Sequence, residues 1–134
     1  MDLKECYAAL GGDYEGVVTR LGGERLVQRF VCRFLADGSY DLLCKSLEDE
    51  NYKDAFRAAH TIKGICQSLH FTQLYESSSC LCDMFRTGAW KPEIDGLVTQ
   101  VEEDYQRAVG AIRQLDAGIL QKWVCAGSGK ERDA

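Results

Sequence analysis

The chain has 134 residues, the length of one domain, and 46% of them are hydrophobic, which is enough to bury a sizeable core. It carries 16 basic and 21 acidic residues, and the net charge of −5 argues against non-specific nucleic-acid binding as its main role. No apolar run reaches the ~18 residues that a membrane span needs, and the charged first residues do not resemble a signal peptide.

The N-terminal third predicts three helices. Residues 2–10 form a short helix that ends at Gly11, and Asp13 can cap a second short helix that ends at Gly22. The third helix, ERLVQRFVCRFLAD, has a broad apolar stripe formed by Leu26, Val27, Phe30, Val31, Phe34 and Leu35.

The middle of the chain predicts three more helices. Ser39 can cap the first of them. Asn51 can cap the second, which runs to about His70, and Thr72 the third, which runs to Gly88. Strand-like alternation never persists.

Pro92 opens a long last helix at a favoured first-turn position. Its apolar residues are spaced alternately four and three apart, at Ile94, Val98, Val101, Tyr105, Ala108, Ile112, Leu115 and Ile119. Short connections between amphipathic helices predict an all-α fold, an antiparallel four-helix bundle with short extra N-terminal helices. We expect residues 1–126 to form this bundle and residues 127–134 a disordered tail. The last helix is longer than the other helices and must extend beyond the end of the bundle. Either the N-terminal helices or a second molecule would cover the part that extends.

Seven cysteines are present, an odd number, and most fall at helical positions: Cys6, Cys32, Cys44, Cys66, Cys80, Cys82 and Cys125. Free thiols in a reducing cytoplasm are the simplest interpretation. Cys80 and Cys82 are two residues apart on a predicted helix and so point about 200° apart, which is poor geometry for one zinc ion.

His60 lies on the helix AFRAAHTIKGICQSL, but off its core stripe. Its neighbours on the helical wheel are Gln67, Lys53 and Gly64, with Arg57 slightly further round and Lys63 on the border of the apolar face, so an anion is favoured there. Gly64 costs helix stability, and it either clears space over the imidazole or permits close helix packing. His70 does not share the face of His60, so the two do not predict a metal site.

The run His60-Thr61-Ile62-Lys63-Gly64, within FxxAHTIKGxxxxL, resembles the H-x-x-K-G signature of histidine-containing phosphotransfer (HPt) domains. The similarity continues through Leu74, Tyr75, Leu81 and Arg86-Thr87-Gly88, and the opening LGGDYEGVVTRLGGERLVQRFVCRFL resembles bacterial, freestanding members. Cys66 departs mildly from the small residue usual there, and His70 stands where the family often has glycine.

The resemblance implies a four-helix phosphorelay intermediate, a phosphocarrier without ATP-dependent kinase activity. His60 would accept a phosphoryl group from a receiver-domain aspartate or a kinase and pass it to another receiver. Lys63 would neutralise phosphoryl charge, and Gly64 would give access. Mg²⁺ would come with the receiver, so the chain needs no cofactor or metal of its own. The expected partners are response-regulator receiver domains and a hybrid histidine kinase.

Docking on a receiver needs an apolar patch, and the stripe on the third helix is wider than one core face requires. We therefore expect part of it to stay exposed near His60. Arg25, Arg29 and Arg33 recur on that helix, as a solvated face or to steer an acidic receiver. The predicted partner-binding residues are Arg57, Gln67, Lys53, Leu26, Arg29 and Phe30.

Two alternatives to a phosphorelay carrier remain open. One is a helical-bundle interaction module of the same fold that works without phosphorylation. The other is a thiol-based sensor, which requires lowered thiol pKa values at Cys66, Cys80 or Cys82. A monomer is favoured over a dimer, but dimerisation through the last helix stays open, because its glycines weaken the seam whereas its heptad spacing supports it.

Overall fold

A computed structural model describes residues 1–87 and 90–125, with side chains as far as residue 118. All regular structure in this part of the chain is helical, which confirms the predicted fold class. The helices are α1 (Leu3–Leu10), α2 (Tyr14–Leu21), α3 (Glu24–Phe34), α4 (Ser39–Glu48), α5 (Tyr52–Leu69), α6 (Thr72–Phe85) and α7 (Glu93–Cys125). The predicted tail, residues 127–134, lies outside the described residues.

Two predicted helix starts are confirmed by their caps. The Asp13 side chain accepts a hydrogen bond from the Gly16 N–H at the start of α2, and the Asn51 side chain accepts one from the Asp54 N–H at the start of α5. A third cap is reciprocal: Asp2 and Glu5 form a capping box at the start of α1. These bonds satisfy N–H groups that have no partner within the helix.

Two other predicted caps are wrong, although both helices exist. Ser39 is the first residue of α4, and the Asp37 carboxylate accepts its N–H at 2.8 Å instead. Thr72 is the first residue of α6, and the residue before it is Phe71, whose fully buried side chain serves the core and offers no cap. Pro92 likewise lies one residue before the start of α7.

Helices α4 to α7 form the bundle. α5 packs between α4 and α6, and α6 packs in turn on α7. The predicted inward residues of α6, namely Leu74, Leu81 and Phe85, are all buried. α6 ends at Phe85, ahead of the predicted end at Gly88, which lies outside the described residues.

The long helix α7, of 33 residues, overhangs the 18-residue α5 as predicted. Its seam is buried at Ile94, Val101, Ala108, Ile112 and Leu115 and half-buried at Val98 and Tyr105, whereas the side chain of Ile119 is outside the described residues. α1 packs along α7, so the N-terminal helices cover at least part of the overhang. None of the described helices is long and apolar enough to cross a membrane.

Candidate functional site

His60 lies on the solvent side of α5, as the helical wheel predicted. The opposite face of the helix is buried in the core through Ala55, Ala58, Ala59, Ile62, Cys66 and Leu69. Burying this apolar stripe fixes the rotation of α5 about its axis, which leaves the His60 side chain exposed. The ring of Phe56, one turn earlier, lies 6.0 Å from the imidazole, centroid to centroid.

A groove of about 510 Å³ runs beside His60 between α3 and α5. Its α3 wall is formed by Phe30, Arg33 and Phe34, and its α5 wall includes His60, Gly64 and Ile65. Phe30 is 38% exposed even though Val27 and Val31 of the same helix are fully buried. The prediction that part of the α3 stripe stays exposed near His60 is therefore confirmed.

Gly64 makes no close packing contact with another helix. A Cβ built on it would have no heavy atom within 4 Å outside its own helix backbone and neighbours. The interpretation that this glycine permits close helix packing is therefore wrong. The residue instead leaves open surface one turn from His60, at a cost of about 0.5–1 kcal/mol of helix stability relative to alanine.

The charged residues on α5 near His60 in sequence differ in their exposure and in their contacts. Arg57 is held by Asp54 at 3.6 Å, and its carbonyl accepts a hydrogen bond from the Thr61 hydroxyl. Lys63 is half-buried, and its positive charge acts to lower the pKa of the Cys82 thiol on α6. Lys53 and Gln67 are exposed on the same helix. None of the three cations on α5 is buried.

Arg33 is the cation that the sequence prediction omitted from the partner-binding set. Its guanidinium lies 5.4 Å from the centre of the Phe30 ring, a cation–π contact, and it has no ion pair among the described residues. The predicted residues Leu26 and Arg29 are exposed on α3 but do not line the groove. The arginine row in the sequence contained the signal, but which arginine faces the groove depends on how α3 packs.

Two of the three thiols considered for a redox sensor, Cys66 and Cys82, have raised pKa values where a sensor needs lowered ones. Burial raises the pKa of Cys66, and burial also raises the pKa of Cys82 although Lys63 and Arg86 act in the opposite direction. A raised pKa keeps a thiol protonated and unreactive. Cys80 is exposed whereas Cys82 is buried, so the two side chains lie on different faces of α6.

No cluster of three or more His, Cys, Asp or Glu side chains that could hold a metal ion occurs in the described part of the chain. None of its six described cysteines forms a disulfide. The surface presents an accessible imidazole beside an apolar groove, with three cations on the same helix.

Comparison with known proteins gives one match. The model of the Hpt domain family matches residues 35–115, which is 81 of the 134 residues and includes His60, Lys63 and Gly64. No curated protein and no solved structure matches the chain. The matched segment contains α4, α5 and α6 entirely and most of α7, and it covers more than half of the sequence. The chain therefore belongs to the Hpt domain family.

Proposed function

We propose that the chain is a phosphorelay intermediate that accepts a phosphoryl group on His60. Membership of the Hpt family implies histidine phosphotransfer in phosphorelay signalling, by modules that are phosphocarriers and not kinases. The observation that carries the assignment to His60 is its exposure beside the open surface of Gly64. His70, the other histidine, is partly buried and lies 3.5 Å from the carboxylate of Asp13.

In the proposed reaction, an unprotonated imidazole nitrogen of His60 attacks the phosphorus of a receiver's aspartyl phosphate. The new N–P bond forms as the bond from phosphorus to the acyl oxygen breaks, and the aspartate carboxylate leaves. The reverse reaction, on a second receiver, passes the group on. Such transfer depends mainly on in-line positioning and on neutralising charge.

Three features of the site support this chemistry. Imidazole has a useful unprotonated fraction near neutral pH. Lys63, one turn from His60, would neutralise phosphoryl charge, and the open surface at Gly64 would admit the partner's reacting group. The chain would need no cofactor, since Mg²⁺ would be held by the receiver domain.

The partner would dock across the groove. The exposed ring of Phe30 offers apolar contact area. The Arg33 guanidinium, which has no ion pair among the described residues, would meet a carboxylate of the partner. Leu26 and Arg29 on α3, with Lys53, Arg57 and Gln67 on α5, would form the rim. Arg57 would contribute least, because Asp54 already neutralises part of its charge.

We propose response-regulator receiver domains and a hybrid histidine kinase as partners, and a monomeric chain. Free thiols support a cytoplasmic location. A bacterial, freestanding carrier is supported by the resemblance of residues 10–35 to such members.

The assignment to His60 can be tested without any partner. Phosphoramidate phosphorylates accessible histidines directly, and the acid-labile product is detected by mass spectrometry of peptides kept at alkaline pH. We expect the label on His60 in the wild type and in His70→Gln, and no label in His60→Gln. Labelling of His60→Gln at the wild-type rate would show that the reactive group lies elsewhere.

A further inference from the structure

The connection between α1 and α2 is bonded to the turn between α5 and α6. The Asp13 N–H donates to the His70 carbonyl at 2.9 Å, and the Gln73 N–H donates to the Gly11 carbonyl at the same distance. The Asp13 carboxylate also lies 3.5 Å from Nδ1 of His70. Two turns that are distant in sequence are thus joined by both backbone and side-chain contacts.

The fit at this junction is close. A Cβ added to Gly12 would lie 2.7 Å from the His70 carbonyl oxygen and 2.7 Å from the ring of Tyr7, closer than real Cβ contacts. Next to it, the Tyr7 hydroxyl donates a buried hydrogen bond of 2.7 Å to the Leu69 carbonyl. The N-terminal helices therefore cannot shift on this turn without breaking contacts.

His70 has a left-handed backbone conformation, with φ of 59°. A residue with a Cβ is disfavoured there by about 1–2 kcal/mol, and glycine would avoid that cost. Histidine, unlike glycine, supplies a side chain that reaches Asp13. His70 thus closes α5 through its left-handed backbone and contacts Asp13 through its side chain.

The junction is connected to the groove beside His60 through one ring. Phe71 follows His70, is fully buried, and lies 5.6 Å from the ring of Tyr7 and 5.3 Å from that of Phe34. Phe34 is part of the α3 wall of the groove. The turn that holds α1 and α2 therefore also holds α3 against α5.

We propose that the Asp13–His70 contact positions α3 as the wall of the His60 groove. The proposal makes residues 1–34, which lie outside the segment matched by the family model, part of the surface that recognises the receiver partner. His70 is then a positioning residue, acting through Phe71 and Phe34 without touching the reacting atoms. The recognition part rests on the proposed phosphotransfer function.

Three variants weaken the junction to different degrees. Asp13→Asn removes the charge but keeps a residue that caps α2 equally well, and His70→Asn removes the imidazole but tolerates the left-handed backbone. Gly12→Ala introduces the clash directly. Gly110→Ala is the matched control, because a Cβ at that exposed position on α7 meets nothing within 4 Å.

The first readout is hydrogen exchange followed by mass spectrometry, which needs no partner. We expect protection in α3 to fall about two- to fivefold in Asp13→Asn and His70→Asn, as for the loss of one exposed polar contact, and further in Gly12→Ala. Protection in α6 should stay at the wild-type level in the two milder variants. Unchanged α3 protection in both, or an equal loss in every helix, would overturn the proposal, whether or not Gly12→Ala folds.

The second readout is transfer from a receiver domain phosphorylated on its aspartate. Weakening the junction should raise KM for the phosphorylated receiver at least threefold, and leave kcat and the rate of labelling by phosphoramidate unchanged. An unchanged KM together with reduced α3 protection would overturn the recognition role. Failure of the proposed function is recognised separately, because the wild type itself would then take no label from the phosphorylated receiver, whereas the hydrogen-exchange readout would be unaffected.

Discussion

Replacement of Gly64 by alanine should stabilise the protein and impair phosphotransfer. The glycine is exposed within α5, and an added Cβ would meet nothing within 4 Å. Removing the backbone freedom of the unfolded chain should therefore raise the free energy of unfolding by about 0.5–1 kcal/mol. For a chain of 134 residues that corresponds to an increase in Tm of about 2–4 °C.

The same methyl group would protrude into the space through which a partner reaches His60. Transfer needs in-line alignment, and a displacement of about 1 Å can cost about 100-fold in rate. We therefore expect the rate of transfer from a phosphorylated receiver to fall at least about tenfold. Phosphoramidate, a small donor, should be affected much less.

The assay combines urea unfolding followed by circular dichroism with single-turnover transfer of radiolabel. Gly110→Ala, on the exposed side of α7, is the control and should gain similar stability with wild-type transfer. The reasoning would be refuted if Gly64→Ala destabilised the protein, or if it stabilised the protein and left receiver transfer unchanged.

Three further predictions concern the groove, the buried thiols and a helix end. Arg33→Glu should raise KM for a phosphorylated receiver at least about tenfold, with the largest effect at low salt. Arg25→Glu is the control, because Arg25 does not line the groove, and it should raise KM less. Equal increases in KM for the two variants would mean that only net charge matters. Burial raises the pKa of Cys6 and of Cys32 from 9.0 to about 11. As pH rises, these thiols therefore ionise in the unfolded chain before they ionise in the folded one. The free energy of unfolding should fall as pH rises from about 9 to about 11. The urea concentration at the midpoint of unfolding measures this fall in stability. A midpoint that rises between about pH 9 and about pH 11 would contradict the raised thiol pKa values. Glu50 lies in the turn after α4 and has a left-handed φ of 56°. Glu50→Gly should therefore stabilise the protein by about 1 kcal/mol in the same unfolding assay, and a loss of stability would show that the Glu50 side chain makes a favourable contact.

Local features of the sequence predicted much of the fold. The apolar spacing of α5 fixed which face would be buried and hence that His60 would be exposed. Asp13 and Asn51 cap as expected, because a cap depends only on the few residues that follow it. The predicted cap at Thr72 failed because the residue before it, Phe71, is used in the core. The predicted cap at Ser39 failed for a local reason, since Ser39 is already the first residue of α4 and donates its N–H to the Asp37 carboxylate.

The site was predictable only in part, because its second wall comes from another helix. Periodicity identified α3 as too apolar for one core face, but not which of its residues would face α5. Arg33 lines the groove and Arg29 does not, a distinction set by the packing of Phe34 on Phe71. The role of Gly64 could not be predicted from the sequence, which allowed either access to His60 or close packing of another helix. The empty space around Gly64 in the structure decides for access.

His60 is proposed to carry a phosphoryl group between receiver aspartates. The most direct test mixes the purified chain with a receiver domain carrying radiolabelled aspartyl phosphate and Mg²⁺, with His60→Gln as the control. We expect label that moves to the wild type, survives alkali, is lost in acid and does not appear on His60→Gln. Acid-labile label on His60→Gln would contradict the proposed role of His60. The role would also be contradicted if phosphoramidate phosphorylated the wild type but no label passed in either direction between the wild type and any of several receivers.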